Sequence, residues 1–337
     1  MFQIAFFVIA NTLALYHFST SGQHSLMIFF LICIGILAFF SALISKMKNQ
    51  RSAHELMART LTFWWMLSLF GIALVLHSSI LALLLCTGSL LSLAEYHSMI
   101  FPEEKSLTKI AKDIYFLVPA AGCVINYILL YLGYESAFLA LSAAFMGVFL
   151  PLFYVTQNRT DGSAYSLGSV TAGFNYFAVL LPLSFSLYLI APHAFLLVVF
   201  LTEIRDLISY WAGKGFSKVP VNDSLWSRVV HKKVAPLISP QKTWWVGFVS
   251  TLALLAIGLP LGRKVFDLSN VGLVKLIFVI ASIGFFGLFG DLAFSLIKRI
   301  HGQKDSGTWL PGGSGIIDRI DALIFTIPIA WFIIKFF

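Results

Sequence analysis

Long apolar runs follow one another from end to end of the chain, broken by short polar segments. Eleven such runs lie near 2–18, 25–45, 60–76, 80–100, 114–132, 137–154, 168–190, 194–210, 243–261, 271–297 and 317–336. A helix needs about 20 mostly apolar residues to cross the hydrocarbon core. The runs are continuously apolar rather than alternating, which selects helices over a barrel, the two structures that satisfy every backbone group inside lipid. The pattern therefore predicts an all-α, polytopic transmembrane protein with about 11 spans (9–11). The first run follows Met1 without a basic leader and reads as a retained anchor.

Composition agrees, since 59% of the 337 residues are hydrophobic and 11% charged, against roughly 25% charged in soluble domains. Cys33, Cys86 and Cys123 fall within apolar runs and lack zinc-site spacing, so they read as small packing residues. The net charge of +8 admits nucleic acid as a partner until the charges are placed. Alternate loops at 46–59, 101–113, 155–167, 211–242 and 298–316 hold 17 of the 23 Lys and Arg residues, while 19–24, 77–79, 133–136 and 191–193 hold none. Arg263 and Lys264 are the exception. Sorting by loop parity is the positive-inside signature, not a nucleic-acid surface. It predicts a cytoplasmic N-terminus, basic loops in the cytoplasm and no nucleic-acid partner.

Polar residues inside the spans are unevenly distributed. The first six spans carry little acid beyond Glu95, whereas Glu203, Arg205, Asp206, Lys242, Asp291, Lys298, Arg299, Asp318, Arg319 and Asp321 crowd the C-terminal part. Residues 1–155 thus read as a scaffold, and 156–337 as the catalytic region with cytoplasmic loops 211–242 and 298–316. Intramembrane carboxylates are costly and mark functional sites by default. Helical spacing places Asp291, Ser295 and Lys298 on one stripe that ends in the pair Lys298–Arg299. A glycine-rich stretch with Pro311, Gly312, Gly313 and Gly315 follows, and Asp318 and Asp321 open the last span one turn apart. Carboxylates brought together by this hairpin suit Mg²⁺, which takes few carboxylates plus substrate phosphates. Each piece also has a plainer reading: Asp318 and Asp321 as caps, Lys298 and Arg299 as interfacial anchors, Arg205 or Lys214 as the neutraliser of Glu203 and Asp206, and Lys242 beside Trp244 as an interfacial belt.

Three segments in order resemble the phosphatidate cytidylyltransferase (CDP-diacylglycerol synthase) family. Its signature of Ser, two residues, Lys-Arg, four residues, Lys-Asp, a Pro/Gly-rich turn and Asp-Arg-x-Asp is matched by Ser295, Lys298, Arg299, Lys304, Asp305, Pro311, Asp318, Arg319 and Asp321. Upstream, Asp206, Tyr210 and Gly213 match D-x-x-A-Y-x-x-G, and Ser239 to Trp244 match S-P-x-K-T-W. The resemblance covers roughly residues 200–325. Three polar family residues are missing: Phe294 stands where the family has Glu, Gly313 begins the stretch that is usually His-Gly-Gly, and Trp245 follows Thr-Trp where an acid is usual.

The resemblance implies transfer of a cytidylyl group from CTP to phosphatidate, giving CDP-diacylglycerol and pyrophosphate. It implies Asp291, Asp318, Lys298 and Arg299 as catalytic residues, with Asp291, Asp318 and Asp321 holding Mg²⁺. Lys242, Asp206, Tyr210, Ser295, Arg319 and Ser239 would bind substrate. Asp206 and Tyr210 shape either the nucleotide end or the place of a second cation such as K⁺. A homodimer in contact with membrane lipids, and a bacterial inner membrane with the site facing the cytoplasm, complete the expectation. Two alternatives stay open: a divergent relative with another lipid phosphate acceptor or weak activity, and a transporter or lipid-binding membrane protein.

Overall fold

The computed structural model describes residues 2–21, 24–45, 57, 60–61, 64–65, 67–69, 71–73, 75, 77–101, 107–110, 113–156, 158, 163–221, 223–266, 268–307, 309 and 315–337. These residues are predominantly helical. The main helices are α1 (Phe2–Thr20), α2 (His24–Ser45), α3 (Ser78–Ile100), α4 (Ile114–Tyr131), α5 (Glu135–Thr156) and α6 (Ala164–Ile190). They continue with α7 (Pro192–Phe216), α8 (Leu225–His231), α9 (Trp244–Lys264), α10 (Leu273–Ile300) and α11 (Ile317–Phe336). Six of them, α3 to α6 together with α9 and α10, are long and apolar enough to cross a membrane, which marks an integral membrane protein. The run at 60–76 falls only partly on described residues.

One departure from the all-α expectation lies in the polar segment before α9. Strands β1 (Lys233–Ala235) and β2 (Ser239–Thr243) pair antiparallel, with Lys233 opposite Thr243 and Ala235 opposite Ser239. The S-P-x-K-T-W stretch thus becomes a strand that runs straight into a helix. Thr243 caps α9, its hydroxyl accepting from the Val246 amide at 3.3 Å. This fixes Lys242 immediately before the cap of the helix.

Helix α6 widens into a π-helix over Phe174–Leu180. Asn126 of α4 donates to the Ala178 carbonyl at 2.7 Å, supplying a partner where the backbone departs from α geometry. The widened stretch presents Tyr176 and Phe177 to Phe294 of α10, with ring centroids 5.2 and 6.0 Å apart. Phe294 is fully buried in an apolar cluster with Leu93, Tyr96, Ile317 and Ile324. That cluster joins α3 and α6 to the α10–α11 hairpin. It also accounts for Phe294 itself, because a carboxylate at this position would lie unpaired among aromatic rings.

Helices α10 and α11 approach closely at Gly290. A Cβ there would lie 2.6 Å from the Asp321 carbonyl oxygen and 3.1 Å from the Ala322 Cα, both backbone atoms that cannot swing away. Small residues at such crossings are how membrane helices come together. Gly290→Ala is expected to cost about 1–3 kcal/mol, read as a lowered unfolding midpoint in detergent, and to lower turnover by moving Asp291 away from Asp321.

Candidate functional site

The site lies where α7, β2, α10 and α11 meet, with one side chain contributed by α3. Arg205 of α7 is 2% exposed. Its Nη2 donates to Asp291 Oδ2 of α10 and lies 2.8 Å from Asp206 Oδ1. Lys242 Nζ, from the end of β2, approaches the same Asp291 oxygen at 2.9 Å. The Asp206 side chain is 45% exposed, so the cluster opens to water on that side. Asp321 of α11 is buried and near enough to Asp291 for the two carboxyls to interact electrostatically. Glu203 and Arg319 border the cluster and interact electrostatically with each other.

A second group sits one turn farther along the hairpin. Lys298 Nζ lies 2.6 Å from Asp318 Oδ1, and Asp318 Oδ2 accepts from the amides of Ser306 at 3.0 Å and Gly315 at 3.1 Å. Both Asp318 oxygens are therefore engaged, and they clasp the two ends of the segment between α10 and α11. Pro311, Gly312 and Gly313 lie outside the described residues. Glu95 of α3, with no exposure at all, adds a second clasp. Its Oε2 accepts from Ile316 N at 2.6 Å and its Oε1 from Ile317 N at 3.4 Å. These are orphan donors at the start of α11, where a carboxylate also meets the positive end of the helix dipole.

The structure brings together Asp206, Lys242, Asp291, Lys298, Asp318, Arg319 and Asp321. Ser295 is half-buried on α10 between Asp291 and Lys298. Arg299 is exposed and donates to the Gln303 carbonyl at 3.4 Å, away from the acids. Tyr210 is exposed, its ring edge-on to Trp211, and Ser239 lies at the far end of β2. Trp245 packs edge-on against Trp226 and Phe216. The sequence marks Arg205 only as a local neutraliser of its own helix and gives Glu95, the one notable acid of the first six spans, no role. An arginine inside an apolar helix is costly enough to be a signal in itself. Glu95 is a costly carboxylate inside an apolar run as well, but its partners lie 221 and 222 residues away, so its role is not legible locally.

Among the described residues no three His, Cys, Asp or Glu side chains form a ready metal centre. Asp291 and Asp321 nevertheless supply two hard oxygen donors side by side. Such a pair fits Mg²⁺ that draws its other ligands from phosphate and water.

A sequence model of the cytidylyltransferase family matches residues 57–337. The uncharacterized protein YnbB of Escherichia coli (strain K12) is 34% identical over 144 residues, which are 42% of this chain and 43% of YnbB. A phosphatidate cytidylyltransferase of Staphylococcus haemolyticus is 31% identical over 195 residues, covering 58% of this chain and 57% of that protein. Phosphatidate cytidylyltransferase 4, chloroplastic, of Arabidopsis thaliana is 34% identical over 137 residues, or 39% of this chain and 29% of that protein. The chain spans about half the length of the first two of these relatives, and less of the third. With a family match over residues 57–337, and the motif residues Asp206, Lys242, Asp291 and Asp321 gathered at one place in the fold, this chain belongs to the cytidylyltransferase family.

Proposed function

We propose that the chain transfers a cytidylyl group from CTP to phosphatidate, forming CDP-diacylglycerol and pyrophosphate. The observation that carries this reading is the Asp291–Asp321 pair on facing helices of the α10–α11 hairpin, bordered by Lys242 and Lys298. An oxygen of the lipid phosphate attacks the α-phosphorus of CTP. One P–O bond forms, the bond to the β-phosphate bridge breaks, and pyrophosphate leaves with the electron pair. No protein nucleophile is needed, and catalysis is positioning plus neutralisation of developing charge.

Asp291 and Asp321 would hold Mg²⁺, which when bound polarises the phosphoryl oxygens as a Lewis acid. Lys242, Arg319 and the exposed Arg299 contact phosphate groups, while Asp206, Tyr210, Ser239 and Ser295 shape the nucleotide side. In this reading Asp318 and Lys298 are positioning residues: their mutual ion pair and the two amides on Asp318 fix the start of α11. Asp321 is set on the turn that follows.

The proposal extends to the setting. Eleven spans with the N-terminus inside place the helix ends that carry the acids at the cytoplasmic face, where CTP and a lipid headgroup meet. Support comes from the sorting of basic residues by loop parity. Residues 1–155 act as scaffold and 156–337 as the catalytic region, in a homodimer of the bacterial inner membrane. The test is conversion of labelled CTP into a lipid-soluble product by the reconstituted protein. Phosphatidate is compared with other lipid phosphates, and a product formed only with another phosphate would replace phosphatidate as the acceptor.

A further inference from the structure

The two carboxylates Asp206 and Asp291 project from different helices, yet meet at a single atom. Nη2 of Arg205 serves both, through the Asp291 bond and the 2.8 Å contact with Asp206. Acid oxygens from two helices converging on one point form the arrangement expected around a bound cation, and here a guanidinium nitrogen occupies that point. The rest of the side chain is placed for this contact at the expense of its other donors. Nε and Nη1 are buried without a hydrogen-bond partner, although burying polar groups unsatisfied is unfavourable. Space for the guanidinium comes from Gly287 of α10, where a Cβ would lie 3.0 Å from Arg205 Cδ and 3.1 Å from Cζ.

The charges of the cluster point the same way. Arg205, Lys242, Lys298 and Arg319 already bring four cationic groups to Glu203, Asp206, Asp291, Asp318 and Asp321. One divalent cation adds two positive charges to these, and a second would add two more beside a guanidinium that never loses its proton. Like charges at such range in a partly dehydrated site repel strongly.

We propose that Arg205 is a built-in cation, standing between Asp206 and Asp291 in place of a second metal ion. The site then takes one divalent cation, at Asp291 and Asp321, and needs no K⁺. This rests on reading the site as a metal-assisted nucleotidyl transfer centre.

The test titrates Mn²⁺ into the full chain in detergent and counts free ion by electron paramagnetic resonance, for wild type, Arg205→Ala and Arg205→Lys. Arg205→Ala is expected to bind one more Mn²⁺ per chain than wild type, and Arg205→Lys the same number as wild type. Wild type binding two Mn²⁺, or a folded Arg205→Ala with an unchanged count, would overturn the proposal. Should Arg205→Ala not fold, the wild-type count still decides. A separate arm replaces K⁺ by choline during CDP-lipid formation. Less than a twofold change is expected in wild type, and a tenfold fall would contradict the built-in cation. The Mn²⁺ count does not depend on turnover, so absence of any CDP-lipid product would remove the functional reading while the count still decides the role of Arg205.

Discussion

Asp291→Asn lowers CTP-dependent formation of CDP-lipid at least about 100-fold, the loss typical of removing one preorganised electrostatic group from a reacting centre. The substitution keeps the shape and removes the charge. Three consequences follow from the geometry. Arg205 and Lys242, which meet at Asp291 Oδ2, lose their common counter-ion. Asp321 loses the neighbour with which it would hold Mg²⁺. The helix crossing at Gly290 stays as it is, so the protein still assembles, though with reduced stability. Breaking one member out of a buried ion cluster commonly costs about 3–5 kcal/mol. Turnover per folded chain, with folding checked by size-exclusion profile and unfolding midpoint, separates the chemical loss from the structural one. Turnover within threefold of wild type would remove Asp291 from the metal site.

The second large effect is expected at Glu95, far from the signature in sequence. Glu95→Ala leaves the Ile316 and Ile317 amides buried without their acceptor, at about 1–3 kcal/mol. Hydrogen exchange in a peptide covering 315–322 is then expected to speed by about 5- to 150-fold, while α9 exchanges as before. Turnover falls as well, because the turn carrying Asp318 and Asp321 is no longer clasped from α3. Glu95→Gln keeps an acceptor oxygen and recovers most of the exchange protection. If the alanine variant exchanged like wild type, Glu95 would have no part in holding the start of α11.

What could be read in the sequence divides along physical lines. Membrane helices announce themselves because lipid demands a long apolar run, and the runs near 80–100, 114–132 and 243–261 lie within a few residues of α3, α4 and α9. The acids on α10 and α11 were legible for the opposite reason: a carboxylate among apolar residues costs too much to be incidental. Less was legible where the cause is a distant contact. The β1–β2 hairpin is only eight residues of strand, held by its pairing and the cap on α9, and no hydrophobic alternation marks it. The π-helix in α6 depends on Asn126 of another helix. Arg205 reads locally as a partner for its neighbours on α7, and its hold on Asp291 emerges only when α7 meets α10. Asp318 illustrates a finer point. Its position in the signature suggests a metal ligand, whereas its surroundings of Lys298 and two backbone amides suit a carboxylate that fixes the chain.

The most direct test of the account follows the fate of labelled CTP in liposomes containing the purified chain, phosphatidate and Mg²⁺. CTP labelled at the α-phosphate should transfer its label to the lipid phase, and CTP labelled at the γ-phosphate should release it into water as pyrophosphate, in equal amounts. Label from the γ-phosphate appearing in lipid, or CTP left intact by folded wild-type protein with every lipid phosphate offered, would contradict a cytidylyltransferase site at the α7–α10–α11 cluster.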